Sequence, residues 1–218
     1  MTTCYQKTSS DESDGYYENW FHVYLLGYMW YIGLLLKERA MKEWREDKRN
    51  VADFYRYWTE DAIKADLREK CHNFSVLITN QFKDFNIGTV IRNANAFCAE
   101  KVIIYGSRQY DRRGTVGAHL YTDLERVSFT DDINEYLPED RLIVGLDNID
   151  GAEPLETFQC PKDKHVVITM GEESCGLTEE MQGMCDKLVY IKQYGSIRSL
   201  NVGTASGIAM YDYCQKVV

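Results

Sequence analysis

Residues 165–177 read His165-Val166-Val167-Ile168-Thr169-Met170-Gly171-Glu172-Glu173-Ser174-Cys175-Gly176-Leu177. The first six are a short apolar run rich in β-branched side chains, the pattern of a strand buried on both faces. It runs straight into two glycines flanking Glu172 and Glu173. Without a Cβ at those positions, backbone groups can approach a ligand closely. A turn followed by a helix start at Thr178, with Glu179 and Glu180 in its first turn, also fits these residues. That plainer reading leaves the placing of both glycines unexplained.

The same strand signal recurs at Ser75–Thr79 (SVLIT), Lys101–Tyr105 (KVIIY), Arg141–Leu146 (RLIVGL) and Leu188–Ile191 (LVYI). Helical stretches are expected at Ile87–Ala99, Thr178–Cys185 and Leu200–Lys216. Continuous Val/Ile/Leu runs alternating with helices imply an α/β fold whose parallel sheet is covered on both faces. Ligands of such sheets sit in loops beyond the carboxyl ends of the strands.

Two further segments fall at such places. Asn86-Ile87-Gly88-Thr89-Val90-Ile91-Arg92 follows the first strand and opens a helix. Gly88 permits a close approach, and Arg92 could hold a phosphate or stabilise an oxyanion from the same end of the sheet. The plainer alternative is a capping Asn86 and a surface ion pair at Arg92. Ser199-Leu200-Asn201 begins the last helix, with Ser199 as a reasonable cap. Gly203, Ala205, Ser206, Gly207 and Ala209 make that helix slim enough to pack closely on a neighbouring loop or a second subunit.

Upstream, residues 1–18 read as a polar tail carrying Asp11, Glu12, Asp14 and Glu18. Trp20–Leu36 contains no Asp, Glu, Lys or Arg and is followed by Lys37, Arg39, Lys42 and Arg45. It falls short of the roughly 20 residues that cross a bilayer, so a buried or dimer-covering helix is favoured over a membrane span. Asn50 is positioned to cap a helix from about Val51 to Lys70, with Phe54, Tyr57, Trp58, Ala62, Ala65 and Leu67 near helical spacing. Arg45, Lys48, Arg49 and Arg56 could grip RNA, but interleaved acids favour a packing role.

Of the 218 residues, 44% are hydrophobic, enough for one good core plus an appendage. A net charge of -9 argues against a protein that coats nucleic acid nonspecifically, while leaving room for a local basic patch. The 7 cysteines form no Cys-x-x-Cys pair, so neither a zinc site nor a disulfide framework is suggested. Reduced thiols in a cytoplasmic protein are the simpler reading, and Met1–Ser10 lacks the basic start of a signal peptide. No Gly-x-Gly-x-x-Gly follows the first strand, which argues against a nucleotide-dependent dehydrogenase.

Taken in order, NIGTVIR, GEESCGL and the run Ile191 to Asn201 (IKQYGSIRSLN) resemble the three motifs of the SpoU (TrmH-like) branch of the SPOUT RNA methyltransferases. Ile191, Gly195, Ser199 and Asn201 match position for position, over a resemblance spanning roughly residues 73–216. Arg49–Leu67 also looks like the N-terminal part of a bacterial subgroup. One departure stands out: Lys192-Gln193 replaces the family's Pro-Met.

The resemblance implies a SPOUT domain over 73–218 with a C-terminal trefoil knot, preceded by a helical extension over 19–72. It implies a homodimer and transfer of a methyl group from S-adenosylmethionine to a ribose 2′-hydroxyl in tRNA or rRNA. As site residues it implies Asn86, Arg92, Glu173, Ser199 and Asn201 for the reaction. Met170, Gly171, Gly176, Ile191, Gly195 and Leu200 would bind the cofactor. Arg108, Arg112, Arg113, Lys192 and Arg198, with His119 nearby, are the best candidates for RNA contact. No metal is required, since a sulfonium is already activated. A noncatalytic RNA-binding protein of the same fold and a base-nitrogen methyltransferase are the alternatives, and the Asn…Arg and Ser-Leu-Asn pair favours ribose.

Overall fold

The computed structural model describes residues 29–34, 48–81, 85–107 and 109–218. The chain divides into two compact units, Met1–Arg49 and Asn50–Val218. In the first, residues 29–34 are helical. The acidic tail and the remainder of the apolar segment 20–36 lie outside the described residues. Among the described residues no helix is long and apolar enough to cross a membrane.

The second unit begins at Asn50, upstream of the 72/73 boundary expected from sequence. It does not open with one long helix. A 3₁₀ turn at Asp53–Tyr55 comes first, and helix α1 runs over Glu60–Lys70 with Thr59 as its cap, its hydroxyl accepting from Ala62 N at 3.2 Å. Acidic Glu60 and Asp61 at the start and basic Arg68 and Lys70 at the end complement the helix dipole. Tyr55 and Ile63 close over Tyr121, with Val51 and Leu67 beside them. That small core ties residues 51–67 to the second unit.

Seven strands follow: β1 Phe74–Asn80, β2 Val102–Gly106, β3 Leu124–Val127, β4 Arg141–Leu146, β5 Glu153–Pro154, β6 His165–Met170 and β7 Lys187–Tyr190. They form one sheet of order β3-β2-β1-β6-β4-β7-β5. Every neighbouring pair is parallel, so all carboxyl ends lie along one edge. The five strands read from sequence are present. The two missed are the sheet's outer strands. β3 sets the adjacent charged residues Glu125 and Arg126 between Leu124 and Val127, and β5 is two residues long, so neither carries a continuous apolar run.

Strand alternation divides the sheet into two cores. Phe74, Val76 and Ile78 of β1 face helices α2 (Asn86–Ala96) and α4 (Val202–Val217). Leu77, with Ile103, Tyr105 and Val167, faces helix α3 (Glu179–Met184) and the turn holding Ile133 and Leu137. Helix α4 is slim because α2 lies against it. A Cβ on Gly203 would stand 2.8 Å from Thr89 Cγ2, and Asn93 Nδ2 donates to Gly203 O at 2.8 Å and to Ser206 Oγ at 2.9 Å. The neighbour expected from sequence, a loop or second subunit, is at these residues a helix of the same chain.

At the opposite, amino-terminal edge of the sheet, His165 is buried between strands. Its Nε2 lies 2.8 Å from Ser75 Oγ and its Nδ1 2.9 Å from Asn73 Oδ1. Asn73 Nδ2 donates to Lys164 O, which leaves Oδ1 as the acceptor and assigns the ring proton to Nδ1. Burial lowers the His165 pKa, Lys101 adds to that, and Glu100 opposes it. A lowered folded pKa means that the unfolded chain binds the proton more readily. The neutral ring therefore contributes stability above about pH 6.5, the unfolded value, and this is lost as pH falls through the folded value. The urea midpoint should drop between pH 7 and pH 5, and His165→Gln should flatten that slope; an unchanged slope would show that the ring does not titrate against folding.

Candidate active site

Motif one enters on α2, and the structure buries its first residue. Asn86 is 7% exposed, while Arg92 sits on an exposed part of the same helix. Six residues advance a helix by about 240° beyond a full turn, so the two side chains do not share a face. Gly88 is required by a close approach: a Cβ there would stand 2.9 Å from Asp111 O and from Gly114 Cα. The close neighbour is thus backbone of the 111–114 turn.

The three motifs meet through one hydrogen-bonded cluster. Asn86 Nδ2 donates to Glu173 Oε2 at 2.6 Å, and Asn201 Nδ2 donates to Asn86 Oδ1 at 2.8 Å. Asn201 Nδ2 also lies 3.3 Å from Glu173 Oε1. Asn201, rather than Ser199, caps α4, its Oδ1 accepting from Thr204 N at 3.2 Å. One amide therefore starts the helix and joins the cluster. Arg92 stands apart from it and pairs with no described residue.

Beside the cluster, beyond the carboxyl ends of β4, β6 and β7, lies a cavity of about 270 Å³. Its walls combine apolar Leu146, Met170, Leu177, Ile191, Leu200 and Val202 with the glycine backbone of 171–176. Of the residues singled out from sequence, Met170, Gly171, Gly176, Ile191 and Leu200 line this cavity, as do Glu173 and Ser199. Gly195 does not: it belongs to an exposed stretch from Tyr194 to Ser199 with nothing within 4 Å of a Cβ.

Both loop glycines are demanded locally. A Cβ on Gly171 would overlap the Gly176 backbone, and Gly176 has φ +66° with the Asp147 carboxylate against its Cα. Glu172 is 4% exposed; its carboxylate accepts from Gln81 N and its carbonyl from Gly176 N at 2.8 Å. It buckles the loop between β1 and β6.

Sequence reasoning missed three residues that shape the cavity. Asp147, just past β4, accepts from Leu177 N and from Asn148 N, both at 2.7 Å. Asn148 Nδ2 donates to Arg198 O at 3.0 Å, and Gln182 Nε2 to Leu177 O at 2.7 Å. The available signal was an Asp-Asn pair directly after the RLIVGL strand run, at the ligand edge of the sheet.

The basic candidates are scattered. Arg113 is paired with Asp111 at 2.5 Å, which holds that carboxyl below its usual range, and its guanidinium lies 6.0 Å from the Phe85 ring. Arg112, Lys192 and Arg198 are exposed, and Lys192 Nζ lies 5.4 Å from the Tyr194 ring. His119 is tied to Thr115 Oγ1 at 2.6 Å. Arg108 lies outside the described residues.

The seven strands and their helices make a parallel α/β domain with the three motif segments at the carboxyl edge of the sheet. The SpoU rRNA Methylase family matches residues 73–211, and the chain belongs to that family. The 23S rRNA (guanosine-2′-O-)-methyltransferase RlmB of Acinetobacter baylyi is 30% identical over 138 residues, covering 60% of this chain and 55% of that protein. The Coxiella burnetii protein of the same name is 28% identical over 159 residues, covering 70% and 63%. The chain thus spans between about half and under two thirds of these relatives. Among solved structures, an AdoMet-bound rRNA methyltransferase from Sinorhizobium meliloti superposes with a TM-score of 0.60 at 28% identity, over 70% of this chain and 60% of that one. The A. aeolicus TrmH/SpoU tRNA modifying enzyme shares the fold, with a TM-score of 0.61 at 23% identity, over 72% and 83%.

Asp147→Ala should leave the Leu177 amide without its acceptor, at a cost of about 1–3 kcal/mol. Urea denaturation should register that loss, and hydrogen exchange should show faster opening across 171–177. Wild-type exchange in that loop would mean that Asp147 does not hold it.

Proposed function

We propose that this chain is an S-adenosylmethionine-dependent RNA methyltransferase that methylates a ribose 2′-hydroxyl in tRNA or rRNA. The observation that carries this reading is the Asn86–Glu173–Asn201 cluster, which joins three family motifs beside one cavity.

The cavity fits a nucleoside cofactor. Flat apolar walls at Leu146, Leu177 and Leu200 suit an adenine ring, and the glycine backbone at Gly171 and Gly176 leaves room for its ribose. When bound, S-adenosylmethionine supplies an electrophilic methyl on a sulfonium. The chain's own residues do the rest. Glu173 takes hydrogen bonds from both amides and so fixes them. Asn86 and Asn201 then hold a set geometry at the cavity mouth, where Ser199 is exposed and free to meet the acceptor ribose. A ribose hydroxyl is a poor nucleophile at neutral pH. Arg92 stays protonated, so its role is to hold an RNA phosphate and stabilise the developing oxyanion rather than to abstract a proton; standing apart from the cluster of its own chain, it would do so at the site of a second subunit. An exposed guanidinium unpaired with any described residue suits that role.

The same reading includes the finer family features. The deep C-terminal trefoil knot is supported by β6 and β7 each inserting between strands that precede them in sequence. A homodimer is supported by the exposed apolar side chains Ile208 and Tyr211 on α4 and Ile197 in the preceding loop. RNA would be gripped by Arg108, Arg112, Arg113, Lys192 and Arg198, and an N-terminal helical extension would precede the SPOUT domain. A cytoplasmic location agrees with an RNA substrate and with 7 cysteines lacking a paired spacing.

Incubation with labelled S-adenosylmethionine and total RNA, followed by nucleoside analysis, should give a 2′-O-methylated nucleoside. Arg92→Ala should lower transfer by at least about a hundredfold with cofactor binding unchanged. Cofactor binding without transfer to any RNA would favour the noncatalytic reading, and wild-type turnover by Arg92→Ala would remove its assigned role.

A further inference from the structure

Gln193 follows the end of β7 and lines the cofactor-sized cavity. It stands at one of the two positions where this chain departs from the family's Pro-Met. The proposed reaction leaves it without a role.

Its side-chain amide is poorly satisfied at both ends. Oε1 is buried and has no hydrogen-bond partner among the described residues. Nε2 donates to Arg198 O at 3.4 Å, longer than the roughly 2.7–3.2 Å of a well-formed N–H···O bond. Turning the amide over does not help, because Oε1 would then meet the Arg198 carbonyl and two acceptors would face each other. Arg198 O also accepts from Asn148 Nδ2 at 3.0 Å, so it keeps a partner when the Gln193 amide swings away. An amide oxygen held from water without a bond is unfavourable, and in this cavity a ligand can supply the missing donor.

The strand order shows which part of the ligand meets Gln193. Between the loop after β6 and the segment after β7 lies the segment after β4, whose Asp147, Asn148 and Ile149 line the cavity. Glu173, bonded to Asn86 and Asn201, is on the β6 side, and Gln193 is on the β7 side. Leu146 at the end of β4 and Ile191 after β7 place apolar wall near Gln193. A nucleoside that turns its reacting group toward Glu173 therefore turns its base toward Gln193.

A primary amide is the complement of one base edge. Adenine presents its N6 amine as donor beside a ring nitrogen as acceptor, and a glutamine amide meets that pair with two hydrogen bonds. A methionine at this position lacks the amide that makes both.

We propose that Gln193 reads the adenine of S-adenosylmethionine, Oε1 accepting from the N6 amine and Nε2 donating to the neighbouring ring nitrogen. The assignment rests on the methyltransferase reading of the cavity. It makes Gln193 a specificity residue for the cofactor, using a side chain rather than the glycine backbone.

The test is calorimetric titration of the full chain with S-adenosylhomocysteine and with its 6-deamino analogue, in which purine replaces adenine. The wild-type chain should bind S-adenosylhomocysteine at least about tenfold tighter than the analogue. Gln193→Met, which keeps the length of the side chain, should lose about tenfold in affinity for S-adenosylhomocysteine, and its preference over the analogue should shrink by a similar factor. In the wild-type chain, the Gln193 side-chain amide protons should shift on adding S-adenosylhomocysteine and exchange more slowly with water. That NMR measurement needs no variant, so it decides the question even where Gln193→Met fails to fold. An unchanged preference in a folded Gln193→Met, or side-chain amide protons that neither shift nor gain protection, would overturn the assignment while leaving the methyltransferase reading in place. Absence of S-adenosylhomocysteine binding by the wild-type chain would overturn both.

Discussion

The Asn86 side-chain amide uses both its ends, donating to Glu173 and accepting from Asn201. It bridges residues that lie 87 and 115 positions away in sequence. It can do so because β1 and β6 are parallel neighbours, so α2 and the 171–176 loop both leave the sheet at its carboxyl edge. Asn201 then fixes where α4 begins, and α4 fixes α2 through Asn93 and Gly203. The site and the packing of the helical layer are therefore one constraint. Asn86 is the buried member, so breaking its bond to Glu173 or to Asn201 costs a hydrogen bond away from water.

The cofactor-sized cavity beside that cluster is apolar with glycine backbone, and its loop is pinned by Asp147 and Gln182.

Much of this was legible in the chain because parallel strands buried on both faces leave continuous apolar runs. SVLIT, KVIIY, RLIVGL, HVVITM and LVYI all became strands. The outer strands β3 and β5 escaped because their exposed side removes the need for apolar residues at every position. Val51–Lys70 was misread as one helix. Its aromatic residues recur at helical spacing, but Thr59 is the capping residue and Tyr55 turns inward onto Tyr121. Motif positions Asn86, Glu173 and Asn201, distant in sequence, come together in one hydrogen-bonded cluster. Spacing could not tell which of Ser199 and Asn201 caps the helix, nor that Gly195 stands clear of the cavity, nor that Arg92 faces away from Asn86. Those depend on side-chain direction, which a one-dimensional pattern does not carry.

The claim on which the rest depends is that the cavity between β4, β6 and β7 holds S-adenosylmethionine. Titrating S-adenosylhomocysteine into the full chain while following backbone amides by NMR tests it most directly. The account predicts saturable one-to-one binding with the largest shifts at Gly171, Gly176, Leu177, Ile191 and Leu200. No shift at millimolar ligand, or shifts centred away from those residues, would contradict it.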